Sequence, residues 1–178
     1  MDRSEEQRRY TDPEGFRDYA DRDEWEVCVE REVPVSVEKA WEAWFPAIWE
    51  GQDGTVMLDP GEGRGRLGSV RRIPRVRMTE RIVSVGLPAP SDVPEAVASI
   101  SYTLEHFSVT SYLGYVRFVP TDHEPHATRI SWCVKWTPTR TGRLLFFGGH
   151  ILVRMLTSTM HQALSRLERE ATGSEAAP

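Results

Sequence analysis

Arg71 and Glu80 are the two residues whose type and placement most suggest chemistry. Leu67, Ser69, Arg71 and Ile73 share one parity of an alternating run, and Met78, Glu80 and Ile82 share one parity of the run that follows. If residues 74–77 turn the chain, Ile73 faces Met78, Arg71 faces Glu80 and Ser69 faces Ile82. An acid and a base then stand opposite each other on the apolar side of a hairpin. Two readings follow. In one, Arg71 polarises a carbonyl or enolate while Glu80 moves a proton, with Ser69 beside them against a ligand. In the other, the two charges form a buried ion pair that sets the register, which is reason enough for both to be there.

Tyr102 and His106 extend the polar set. They alternate with Ile100 and Leu104 on the apolar parity of a strand whose other parity is Ser99, Ser101, Thr103 and Glu105. A histidine titrates near neutrality and suits acid–base work, and a tyrosine hydroxyl can donate to a developing oxyanion. The plain alternative makes Tyr102 a core residue with its hydroxyl at the rim and His106 a loop residue. The other histidines carry little. His123 and His126 sit in the acidic turn DHEPH with too few donors for a metal. His150 and His161 are about three helical turns, roughly 16 Å, apart. No metal site is expected. Neither a GxSxG elbow, a P-loop, a dinucleotide fingerprint nor an HExxH is present, so covalent serine chemistry, phosphoryl transfer and zinc proteolysis lack local support and no cofactor is called for.

The elements that must position these residues are legible. Trp25, Val27, Val29, Val33 and Val35 alternate with glutamates over residues 24–35, a half-buried strand in which Arg31 is the one charge on the apolar side. Ser36 caps a helix on which Val37, Ala40, Trp41, Trp44, Phe45 and Ile48 form one stripe, and Pro46 is expected to kink or divide it. A glycine-rich stretch, GQDGTVMLDPGEGRGRLG, precedes the hairpin, either as a flexible loop at a cavity mouth or as a connection. The strand over 112–119 is ambiguous: Tyr112, Val116 and Phe118 compete with Leu113, Tyr115 and Val119 for the core. In the strand over 128–137, Ile130, Trp132, Val134 and Trp136 share a face. A closing helix over 149–171 carries Leu152, Leu156, Met160, Ala163, Leu164 and Leu167, flanked by Ile151, Met155 and Thr159. Trp41, Trp44, Phe45, Trp132 and Trp136 are plain core by pattern. In a partly hollow core some of these rings face a ligand, with Met155 and Thr159 lining it from the helix.

Composition bounds the function. The 178 residues are 28% charged and 39% hydrophobic, with a net charge of -5. That suits one domain over 24–171, with a charged N-terminal tail over 1–23 and a frayed end over 172–178. The negative balance argues against a nucleic-acid partner and an anionic membrane surface. No apolar run spans a bilayer, and MDRSEEQRRY lacks the apolar core of a signal peptide. Cys28 and Cys133 match no metal motif and no disulfide framework, so a reducing, cytoplasmic setting is expected.

The segment PVSVEKAWEAW resembles the entry into the first helix of START-like proteins, also called the Bet v 1-like or SRPBCC superfamily. The runs GRLGSVRRIP and VRMTERIVSV, then SISYTLE, YVRFVPT and ATRISWCVKWTP, resemble its polyketide cyclase/dehydrase branch, and ILVRMLTSTMHQALSRLERE resembles its closing helix. The resemblance implies an α+β helix-grip fold, an antiparallel seven-stranded sheet curled around a long C-terminal helix with two short helices after the first strand. Six strands are legible, and the seventh falls to residues 52–60. It also sets the strands of Cys28 and Cys133 side by side with both thiols outward, so a cross-strand disulfide is open to them but disfavoured in a reducing compartment. The branch carries a matching Arg and Glu within SVR and TER. By this resemblance the chain binds a hydrophobic, aromatic or polyketide-like small molecule in an interior cavity. It promotes cyclisation or dehydration there by positioning and acid–base help. The fold equally hosts a non-catalytic carrier or sensor of a lipid or hydrophobic metabolite, and an interaction domain with a filled interior. Monomer and homodimer both fit.

Overall fold

The valine–glutamate alternation folds residues Val27–Val33 into strand β1, with Val27, Val29 and Val33 buried and the glutamates between them exposed. The computed structural model describes residues 25–52, 54–73, 78–88, 97–105, 109–121, 126–139 and 150–173. The expected tail over 1–23 and residues 174–178 lie outside them. Trp25 departs from the expected pattern. It precedes β1, and its ring stacks on Tyr115 at 6.1 Å with the Lys135 ammonium 4.5 Å from its centroid. Tyr115 and Lys135 lie on the sheet face away from the core residues Tyr112 and Trp136. The chain therefore crosses over before Val27, and parity stops predicting a face where the strand stops.

Ser36 is extended, and its hydroxyl accepts from the Lys39 N–H at 3.4 Å, opening α1, Val37–Trp44. α-Helical geometry ends at Trp44, so the stripe from Val37 to Ile48 is divided next to Pro46, as expected. The chain runs from α1 directly into a π-helical segment, Phe45–Glu50, with the proline in its first turn. A missing N–H is tolerated there, and the wider turn buries Phe45, Ala47, Ile48 and Trp49 together.

The remaining strands are β2 (Val56–Asp59), β3 (Val70–Ile73), β4 (Met78–Gly86), β5 (Ala98–Glu105), β6 (Val109–Pro120) and β7 (Thr128–Pro138). They form one antiparallel sheet in the order β1-β7-β6-β5-β4-β3-β2. The seventh strand, β2, falls inside 52–60 as expected. The hairpin register is the expected one, Arg71 opposite Glu80 and Ile73 opposite Met78. The Ile82 N–H donates to the Ser69 carbonyl, and the Gly68 N–H donates to the Ile82 carbonyl. Residues 74–77 themselves lie outside the described set. The ambiguity in β6 resolves toward Tyr112, Gly114, Val116 and Phe118 on the core face, while Leu113 is buried on the other.

Helix α2, His150–Gly173, buries Leu152, Met160, Leu164, Leu167 and Ala171 against β1, α1 and the π-helical segment. It runs two residues past the expected end, and the Thr172 hydroxyl donates to the Glu168 carbonyl. Arg31, the charge on the apolar side of β1, is explained by α2. Its Nε donates to Glu168 Oε2 at 2.8 Å and its Nη1 to Ser165 Oγ at 2.9 Å. This is the helix-grip architecture, with a sheet, one long helix and two short helical segments after β1. No described helix is long and apolar enough to cross a membrane.

Cys28 and Cys133 correct the expectation of two reduced thiols. They are register partners on β1 and β7 with Cα atoms 4.1 Å apart, and they form a disulfide. The pairing comes from strand order, which brings together residues 105 apart in the chain. No local spacing could announce it.

Candidate functional site

The hairpin carries Arg71 and Glu80 into the interior, each only 4% exposed. Arg71 Nε and Nη2 both reach Glu80 Oε2 at 2.5 Å. Its Nη1 donates to two carbonyls at the end of the π-helical segment, Ile48 at 2.5 Å and Trp49 at 2.7 Å. The guanidinium lies 4.3 Å from the Trp49 ring centroid. Carbonyls in the last turn of a helix have no partner within it, and Arg71 supplies two of them from the sheet. Ser69 is equally committed. It is fully buried, accepts from Trp49 Nε1 at 2.9 Å and donates to the Asp59 carbonyl at 3.1 Å. Arg71, Glu80, Ser69 and Trp49 therefore act as one clamp between the sheet and the segment after α1.

Tyr102 adjoins this clamp. It is 2% exposed, its ring meets Trp49 at 5.8 Å, and its hydroxyl accepts from Trp132 Nε1 at 3.0 Å. The Tyr102 and Tyr112 rings lie 6.0 Å apart, tilted at 45°. Gly114 makes the arrangement possible. It pairs with Tyr102 across β5 and β6, and a Cβ there would collide with the phenol carbon and oxygen. The tyrosine ring occupies the space that any other residue would fill. Burial holds both tyrosines protonated far above their ordinary range, and the Glu80 charge adds to the shift; the Arg71 charge opposes it. Both phenols are consequently hydrogen-bond donors and not bases near neutral pH.

The aromatic set continues to α1. Trp44 packs edge-on against Trp132 at 4.8 Å and Phe118 at 6.1 Å, and Trp41 packs edge-on against Phe45 at 5.2 Å. Trp41 and Trp44 are fully buried, and neither indole N–H has a hydrogen-bond partner among the described residues. The glycine-rich stretch is pinned over this end of the core. Arg64 reaches Glu38 and Glu42, each at 2.6 Å, and lies over the Trp41 ring; Arg66 pairs with Glu50 and lies over Phe45. Gly61, Gly63, Arg66 and Gly68 all take positive φ to make that fold.

Ser69, Arg71, Glu80, Tyr102, Trp41, Trp44, Phe45, Trp132 and Trp136 are thus all buried. Met155 and Thr159 do not join them. They are on the exposed side of α2, Met155 at 52%, because the buried stripe runs through Leu152 and Met160. His106 lies outside the described residues. His150 and His161 are exposed, one at the start of α2 and the other on its polar face. Sequence reasoning missed Trp49, Tyr112 and Gly114. Trp49 lies one step beyond an α-helical stripe and enters the core through the π-helical turn. The glycine beside Tyr112 was the available signal in β6.

No protein-family model matches the sequence, and no curated protein matches it significantly. Solved structures do resemble the fold. A point mutant of Thalictrum flavum norcoclaurine synthase, in complex with a transition-state analogue, has a TM-score of 0.56 at 12% identity over 84% of this chain and 95% of that one. A Nitrosospira multiformis protein has a TM-score of 0.55 at 15% identity over 85% and 99%. A Thermus thermophilus protein has a TM-score of 0.51 at 14% identity over 84% and 99%. The chain has the Bet v 1-like, START-like fold, the fold class expected from the sequence.

Proposed function

We propose that this protein binds a hydrophobic, aromatic or polyketide-like small molecule between the curled sheet and α2, and promotes its cyclisation or dehydration. The observation that carries the reading is the buried Tyr102–Tyr112–Trp132 group beside Arg71 and Glu80. The Tyr102 hydroxyl accepts from Trp132 and keeps its own hydrogen to donate, in this reading to a ligand oxygen. Tyr102 then polarises a carbonyl as charge develops on it, while the aromatic walls hold a flexible substrate in one conformation. Arg71 and Glu80 serve as the frame, because the guanidinium is already committed to Glu80 and to two backbone carbonyls. Thalictrum flavum norcoclaurine synthase, solved with dopamine and hydroxybenzaldehyde, supports an aromatic ligand for this fold.

The commitment of Arg71 also favours a second reading, a carrier or sensor of a hydrophobic metabolite that catalyses nothing. The two part in one experiment. A ligand is selected from an aromatic and polyketide-like panel by thermal shift, and turnover is followed with native protein and Tyr102→Phe. Turnover that drops by about 100-fold in kcat with KM nearly unchanged supports the catalytic reading. Tight binding with no turnover by either protein supports the carrier. Failure of every compound to bind would refute both.

A further inference from the structure

We infer that the outer face of the sheet is a docking surface, and that its occupant is this chain's own segment 1–23. An antiparallel sheet with its core on one face ordinarily leaves the other solvated. Here the outer face is buried in one place. Leu113 is 0% exposed, Ser101 1% and Lys135 5%, although all three lie on the face opposite Tyr102, Tyr112 and Trp136. Further along the same face Arg117, Glu30 and Glu32 are exposed. The buried patch therefore has an edge, and Trp25 stands beside it. Its ring reaches across β7 to stack on Tyr115 of β6, 4.5 Å from the Lys135 ammonium, so the residues before Trp25 enter at the patch. From β1 to β4 is four strand spacings, about 19 Å, and 23 residues cover that even at a helical rise of about 1.5 Å each. Other segments are tied elsewhere. Residues 106–108 only join β5 to β6, and Leu113 lies about 13 Å in from that turn. Residues 89–96 join β4 to β5 at the end where Arg117 is exposed, and residues 140–149 must finish at α2 on the core side. The chemistry of the segment also fits. It holds eight carboxylates against five arginines, and a buried ammonium such as Lys135 draws opposite charge. Phe16, Tyr19 and Ala20, three and four residues apart, supply a small apolar set for Leu113. A face closed by the chain itself is not free for a separate protein, so the surface that an interaction domain would use is occupied.

The chain has two lysines, Lys39, exposed on α1, and the buried Lys135, which makes the test direct. The full chain is treated briefly with acetic anhydride, and acetylation of each lysine is read by peptide mass spectrometry. Lys135 is expected to react at least about tenfold more slowly than Lys39. In the full chain carrying Phe16→Ser and Tyr19→Ser, Lys135 should react several-fold faster, while Lys39 keeps its rate and so reports that the domain remains folded. A second measurement locates the occupant. The photo-reactive p-benzoylphenylalanine, put in place of Phe16 or Tyr19, is expected to cross-link within one chain to the peptides around Ser101, Leu113 and Tyr115. Such cross-links support the inference even if the serine variants stay docked. Equal reactivity of the two lysines in the native chain would overturn it. Cross-links to other parts of the chain would overturn it as well, and cross-links between chains would give the face to a second copy instead.

Discussion

Replacing Glu80 by leucine removes the countercharge of an arginine that is 4% exposed. Breaking a buried ion pair from one side typically costs about 3–5 kcal/mol, because the remaining charge is stranded. For a chain of this size that lowers Tm by roughly 6–20 °C. Arg71→Leu should cost more, since it strands Glu80 and also takes the donor from the Ile48 and Trp49 carbonyls. The informative variant is the pair. If Arg71 and Glu80 only neutralise each other, Arg71→Leu/Glu80→Leu should return to native stability, as apolar replacement of a buried pair often does. The geometry here gives a different expectation. The double variant still leaves two carbonyls of the π-helical segment without a donor, at about 1–3 kcal/mol each. It should therefore fall between the native protein and Arg71→Leu. Thermal and urea unfolding of the four proteins measure this as a double-mutant cycle. A double variant as stable as the native protein would refute the clamp, and a Glu80→Leu loss under about 1 kcal/mol would refute the burial argument.

Other outcomes follow from the same geometry. Gly114→Ala forces the Tyr102 ring off its seat and should cost about 1–3 kcal/mol, with a changed near-ultraviolet dichroism; an unchanged spectrum and Tm would contradict the seat. Because burial raises the folded-state values of Tyr102 and Tyr112 above the ordinary 10.0, the folded state holds those protons longer than the unfolded one. Their contribution to stability is present below about pH 10 and is lost as pH rises beyond it. Absorbance at 295 nm should show both phenols ionising only as the protein unfolds, and their titration in the folded protein near pH 10 would contradict their burial. The Cys28–Cys133 bond closes a loop with a sequence separation of 105. Iodoacetamide should leave the folded protein unmodified until a reductant is added, and reduction should cost up to about 4–5 kcal/mol; free thiols in protein prepared without reductant would contradict the bond.

Wherever a residue's partner lies nearby in the chain, the sequence was legible. Two-residue alternation picked out the core faces of β1, β5 and β7, and the stripe from Val37 to Ile48 located α1. The hairpin register placed Arg71 against Glu80 because both lie within a dozen residues of one turn. Long-range partners were not legible. That Arg71 serves the Ile48 and Trp49 carbonyls, and that Arg31 serves Glu168, depends on how α1 and α2 dock on the sheet. The disulfide was discounted on compartment grounds, although the register of β1 on β7 places the two cysteines opposite each other.

By itself, then, the sequence determined the kind and order of elements and which residues turn inward, since periodicity and capping are local physics. It also determined that an acid and a base would be buried together. Only the tertiary structure decided what those charges do. It committed the guanidinium to a helix end, left the Trp41 and Trp44 donors without a partner among the described residues, and laid Tyr102 over Gly114 within reach of Trp132. Each of these depends on groups from different elements meeting within a few ångströms, and hydrogen bonds and ring contacts fall off over that distance. No pattern along one strand or one helix records the meeting.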